Sequence, residues 1–145
     1  MENIITTPPP VMFDLATFED MQTADVRIKH PATGAPTAIT ITLAGPEHPT
    51  RRAREMARQR KMRAQLSRTG KIQMGDPEED LADEAEEMAD CTLGWSGLAL
   101  NGQPLAHSRA AALQLYTDPK RQWLRAQVRA ALADRENFIA SSATA

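Results

Sequence analysis

Ser96, in the stretch Gly94-Trp95-Ser96-Gly97-Leu98, is the residue most open to a catalytic reading. A serine among glycines resembles a nucleophile elbow, where a sharp strand-to-helix turn presents the hydroxyl to a histidine base. The elbow requires glycine two residues to either side of the serine. Gly94 satisfies that requirement, but Leu98 occupies the second position. The motif also needs a strand before the serine, and the apolar periodicity predicts an amphipathic helix there. His107 is the only nearby histidine, and no ordered acid–base arrangement surrounds it. The simpler expectation is structural: Gly94 and Gly97 let the chain turn, and Trp95 and Leu98 drop into a helical core.

Metal and cofactor chemistry fare no better. His30, His48 and His107 are scattered, and Cys91 is the single cysteine, so the tetrahedral ligand sets of zinc are not spelled out. A dense carboxylate face runs through Glu78, Glu79, Asp80, Asp83, Glu84, Glu86, Glu87 and Asp90, without the spacing of a calcium loop. No phosphate-cradling or dinucleotide-binding glycine pattern is present. No catalytic, metal or cofactor residue is assigned, and the chain reads as non-enzymatic.

Charge is the sharpest feature. Nine bases and one acid, Glu55, lie between Arg51 and Lys71; nine acids and no base lie between Asp76 and Asp90. A basic helix alone would suggest phosphate contacts. Here a tethered polyanion follows within a few residues and competes at high effective concentration. Charge pairing within the chain, or docking of an acidic or helical partner, therefore ranks above direct nucleic-acid binding. The candidate partner-binding residues are Arg51, Arg52, Met56, Arg58 and Arg63. The alternative is a small nucleic-acid-binding regulator using Arg51–Arg68.

The elements that must position these residues are legible in outline. Val26 and Ile28 alternate with Arg27 and Lys29, and Ile39, Ile41 and Leu43 alternate with Thr40 and Thr42. Both runs predict strands, and the intervening Pro-Ala-Thr-Gly-Ala-Pro supplies turn chemistry. Thr50–Thr69 contains neither Gly nor Pro and has a weak apolar stripe of Ala53, Met56, Ala57 and Ala64, with Met62 and Leu66 beside it. That predicts a long, largely exposed helix. Asp76-Pro77 opens a second helix, with Leu81, Ala85, Met88, Ala89 and Thr92 on its buried face. After a loop from Gly94 to His107, Ser108 caps a third helix through Tyr116. Asp118-Pro119 opens a fourth, with Leu124, Val128, Ala131 and Leu132 as its apolar stripe and Arg121, Arg125 and Arg129 on the opposite face. Phe13 and Phe18 are possible anchors for a short helical turn near the start. The expected core is Trp95, Leu98, Leu113, Tyr116, Trp123, Leu124 and Val128.

The chain has 145 residues, 41% of them apolar and only 4% aromatic, so one domain with a thin core is expected. The predicted class is α+β, mainly α: an N-terminal β-hairpin, a long charged helix, and a small C-terminal helical bundle. Residues 1–20 form a flexible arm and residues 21–145 one domain. Within it, 21–48 is the hairpin, 49–70 the basic helix and 76–140 the C-terminal helices, with a frayed tail after 140. No apolar run approaches the ~20 residues of a membrane span, and no secretory leader is visible. A lone cysteine suits a reducing compartment. The chain is expected to be soluble and intracellular, without membrane partners.

The hairpin Val26–Gly45, the charged helix, and the segment from Leu81 to Phe138 together resemble the tail assembly chaperones of long-tailed bacteriophages. The resemblance spans roughly Val26 to Phe138. Its more specific parts are the turn at His30, Pro31, Thr33, Gly34 and Pro36, and the loop at Trp95, Gly97, Leu98, Asn101, Gly102 and Pro104. The loop leads into Trp123–Leu132 and Asn137-Phe138. The resemblance implies a non-enzymatic factor that binds and solubilises the tape-measure protein and helps recruit tail-tube protein. It also implies action in the host cytoplasm, absence from the mature virion and no cofactor; separately, an unfilled face of the hairpin could accept another chain or form a homo-oligomer.

Overall fold

In a computed structural model, the described residues are 11–72 and 75–141. The prolines Pro8–Pro10, residues 73–74 of the loop before Asp76, and the tail beyond Ser141 lie outside them. A 3-10 turn at Leu15–Thr17 leads into β1 (Phe18–Asp20), β2 (Thr23–Lys29) and β3 (Pro36–Ala44). Then come α1 (Pro49–Thr69), α2 (Pro77–Cys91), β4 (Thr92–Ser96), β5 (Ala99–Leu100) and β6 (Gln103–Pro104). Two helices, α3 (Arg109–Thr117) and α4 (Gln122–Ala133), and a last strand, β7 (Ile139–Ser141), complete the order. The fold is α+β.

The alternating runs do become β2 and β3, paired antiparallel with Val26 opposite Ile41. Gly34, at φ +73°, makes the turn between them, and the His30 amide and carbonyl bond to Ala35 and Gly34. Period two sends Ile28, Ile41 and Leu43 to one buried face. Residues of α2, α3 and α4 fill that face: Ala85, Met88, Ala89, Ala112, Leu115, Tyr116, Leu124 and Val128 join the strand residues in one core. The hairpin's apolar face is therefore covered by the chain itself.

Three expectations need correction. The hairpin is not two strands: β4 pairs with β3, placing Trp95 opposite Ile41 and Gly94 opposite Thr42, with an irregularity between Thr42 and Leu43. Thr92 thus leaves the helix to start a strand, and Gly94 sits in a ladder instead of making a turn. The supposed loop to His107 also holds the β5–β6 hairpin, whose Asn101 and Gly102 both take positive φ. Phe13 and Phe18 stack on each other, 5.6 Å apart, but both are exposed and anchor nothing in the core. Phe18–Asp20 instead pairs with Ile139–Ser141.

The expected helix caps form. Asp76 accepts from the Glu78 amide, Ser108 from Ala111 and Asp118 from Lys120, with Pro77 and Pro119 at the first positions. The last cap begins a 3-10 turn (Pro119–Arg121) that runs into α4. Of the expected core, Leu98, Tyr116, Leu124 and Val128 are buried, while Trp95, Leu113 and Trp123 are half-buried against it. Phe138 is fully buried and was not in the expected core. Leu81, assigned to the buried face of α2, is 52% exposed.

Arg125 also departs from its expected place. It is 4% exposed, not on a solvated face. Successive helical residues step by about 100°, so Arg125 lies beside Leu124 and not opposite it. Its Nη1 donates to the Tyr116 carbonyl (3.0 Å) and its Nη2 to the Leu81 carbonyl (2.8 Å). One side chain thus ties α4 to the end of α3 and to α2.

Tyr116 closes the core polar network. Thr92 Oγ1 donates to the Met88 carbonyl at 2.8 Å, so its remaining contact, Tyr116 Oη at 2.7 Å, is a bond the tyrosine donates. Burial pushes the Tyr116 pKa up to about 12. The folded value lies above the unfolded value near 10. Stability is therefore complete below pH ~10 and falls as pH rises towards ~12, by roughly 2–3 kcal/mol in all. Tyr116 is the chain's only tyrosine, so phenolate absorbance reads it alone. Folded protein should titrate about two units above its urea-unfolded form; a native midpoint near 10 would contradict the buried, donating hydroxyl.

Candidate functional site

The two charge blocks become a helical hairpin, α1 followed by α2. His48 Nδ1 accepts from the Thr50 amide at 3.2 Å and starts α1. Gly70, at φ +69°, ends it. Along all 21 residues no side chain is buried. An apolar helix face would normally fix such a helix to the body. Here arginines do so. Arg51 donates to the carbonyls of Ala44 (3.1 Å) and Leu132 (2.7 Å) and lies over the Phe138 ring. Arg54 pairs with Asp90 and Arg58 with Glu87.

The acidic helix serves three neighbours. Asp90 also takes Arg109 at 2.6 Å, and Glu84 takes Arg129 and lies 3.7 Å from buried Arg125. Beyond Arg58, no ion pair joins α1 to α2 among the described residues. A cleft of about 550 Å³ separates the helices there, lined by Arg54, Ala57, Arg58, Lys61, Asp80, Asp83, Glu84 and Glu87. Half-exposed pairs of this kind contribute ~1 kcal/mol or less each, so α1 is held lightly.

The proposed partner-binding residues separate into two groups. Arg51 and Arg58 are engaged within the chain. Arg52 is exposed, 3.7 Å from Glu47; Met56 is 44% exposed; Arg63 is exposed and forms no ion pair among the described residues. The charge blocks announced complementarity, but nothing in the sequence marked Arg51 as bonded to carbonyls of β3 and α4.

The remaining chemical candidates are placed as structural parts. Ser96 lies at the end of β4, opposite Thr40. A strand does precede it, contrary to the helix expected there, but no helix follows directly. His107 Nε2 donates to the Thr92 carbonyl at 3.0 Å, and its ring meets Trp95 edge-on. His30 Nδ1 accepts from Ala32 and Thr33. All three histidines therefore bond to backbone. Cys91 is buried, and burial raises its thiol pKa against the pull of Arg51 and Arg54; such a thiol is a poor nucleophile. Among the described residues, no three His, Cys, Asp or Glu side chains group to hold a metal ion. No helix among them is long and apolar enough to cross a membrane.

These features describe an α+β chain whose most distinctive surface is a charged, lightly tethered helical hairpin. No protein-family model matches the chain, and neither a curated protein nor a solved structure is similar to it.

Proposed function

We propose that this chain is a non-enzymatic tail assembly chaperone of a long-tailed bacteriophage. It binds and solubilises the tape-measure protein and helps recruit tail-tube protein in the host cytoplasm, and it is absent from the mature virion. The resemblance in the hairpin, charged helix and C-terminal segments supports this reading. The observation that carries the reading is α1: a helix of 21 residues with none buried. Its exposed Met56, Met62 and Leu66 offer an apolar side to a partner helix. The neighbouring arginines cover apolar surface with their stems while their heads stay in water, which tolerates several partner registers. Tube subunits would release the client by competing for this surface.

The nucleic-acid alternative is weakened by the same geometry. Arg51, Arg54 and Arg58 are bound within the chain, and the acidic face of α2 lies alongside.

Co-expression tests the proposal. With this chain present, the cognate tape-measure protein should move from the insoluble to the soluble fraction and co-purify. Joint Arg52→Glu and Arg63→Glu reversal should lower the co-purified fraction roughly fivefold at unchanged melting temperature, the sum of small exposed-charge effects. A tape-measure protein equally soluble alone, and never co-purifying, removes the proposal.

A further inference from the structure

The charges left over at the open end of the hairpin point to a second copy of this chain. On the basic side Arg60, Lys61, Arg63, Arg68 and Lys71 form no ion pair among the described residues. On the acidic side the same holds for Glu78, Glu79, Asp80, Asp83 and Glu86. The two sets lie near each other in the hairpin yet do not neutralise one another, because the cleft between the helices keeps them apart. Exposed apolar side chains accompany both: Met62 and Leu66 on α1, Leu81 on α2. Each copy therefore carries a basic arm and an acidic arm, with apolar residues on each and no covering element.

We infer that two copies dock through this hairpin as an isologous dimer, the distal half of α1 in one copy against the first turns of α2 in the other. A two-fold axis satisfies both contacts at once. Each basic arm meets an acidic one, which fixes register and excludes a parallel, like-charged arrangement. With 21 residues, α1 is ~31 Å long, enough to build a standard small interface together with α2. The dimer covers the side of α1 that the proposed client would use and is the form expected when no client is present. The inference rests on the unmatched charges and holds whether or not the client is a tape-measure protein.

Sedimentation with reciprocal charge reversal is the test. The wild-type chain should dimerise in about 0.05 M salt with half-dissociation near 10 µM, roughly, and shift to monomer in about 0.5 M salt. The Arg60→Glu/Arg68→Glu variant brings the distal basic set of α1 close to neutrality, and the Glu79→Lys/Asp83→Lys variant does the same to the acidic set of α2. Each alone should dimerise about tenfold more weakly or worse, with a thermal melt showing that it is folded. Mixed together, they should form a heterodimer, because each introduced glutamate can then meet an introduced lysine while the two unaltered arms, one from each variant, pair in full. A wild-type monomer at about 100 µM in low salt overturns the inference. So do variants that dimerise unchanged, or a mixture that stays monomeric. None of these outcomes depends on co-purification of a client, so the two proposals fail separately.

Discussion

Replacing Arg125 with alanine should destabilise the fold by about 3–5 kcal/mol, the cost of removing one partner from a buried polar network. Arg125 Nη1 reaches the carbonyl of Tyr116 in the last turn of α3. Terminal helix carbonyls have no partner within their own helix, and a cation there also meets the negative end of the helix dipole. Nη2 holds the Leu81 carbonyl of α2, and Nε lies 3.7 Å from Glu84. Alanine would strand the Tyr116 carbonyl in the core and open a cavity among three helices. For a chain of this size the melting temperature should fall by roughly 10 °C or more. Lysine keeps the charge but not the planar fork, so Arg125→Lys should recover less than half of the loss. Urea melts of the two variants decide the matter, and a loss under about 1 kcal/mol for alanine would show that the clasp carries no weight.

Gly97→Ala should cost about 3 kcal/mol or more, and two other glycines show why. Gly97 takes φ +69°, and a Cβ there would overlap the carbonyl oxygen of Ala38. Strand β3 would have to move, and Ile41 and Leu43 of that strand are core residues. Gly102 also takes a positive φ, +78°, but has open space around it; its alanine variant should pay only the left-handed cost of about 1–2 kcal/mol. Gly94 has neither constraint, and alanine there should change stability by about 0.5 kcal/mol or less. Thermal melts of the three variants should rank in that order. If Gly97→Ala merely equals Gly102→Ala, the close approach of the two backbones does not matter.

What the sequence revealed was local. Asp76-Pro77, Ser108 and Asp118-Pro119 are legible because a capping side chain acts within three residues of itself. The β2–β3 hairpin is legible because alternation and turn chemistry are also short-range. Strand β4 was not. Thr-Leu-Gly-Trp-Ser follows a helical pattern without a break, contains glycine, and lacks a clean period of two. It extends because β3 offers an open edge, a demand that comes from 50 residues away in the chain. The burial of Arg125 has the same origin: its acceptors are Tyr116 and Leu81 carbonyls, and no pattern around residue 125 announces them. Strands β1 and β7, three residues each, are too short to carry a periodic signal. Of the candidate site, the opposed charge blocks were plain. Their division into bonded arginines (Arg51, Arg54, Arg58) and ones with no ion pair among the described residues (Arg60, Arg63, Arg68) needed the geometry of the hairpin.

Amide hydrogen exchange on the client complex tests the central claim most directly. The claim is that α1, none of whose residues is buried in its own chain, is the surface that holds a partner helix. Exchange should be followed by mass spectrometry on the free chain, diluted into about 0.5 M salt to suppress self-association, and on the purified complex with the tape-measure protein. In the free chain, α1 has no buried residue and should exchange far faster than the buried strand β3. In the complex, protection should rise at least tenfold across Pro49–Thr69, with little change in β3 or α4. Unaltered exchange in α1, with new protection confined to the sheet or to α3 and α4, would contradict the account.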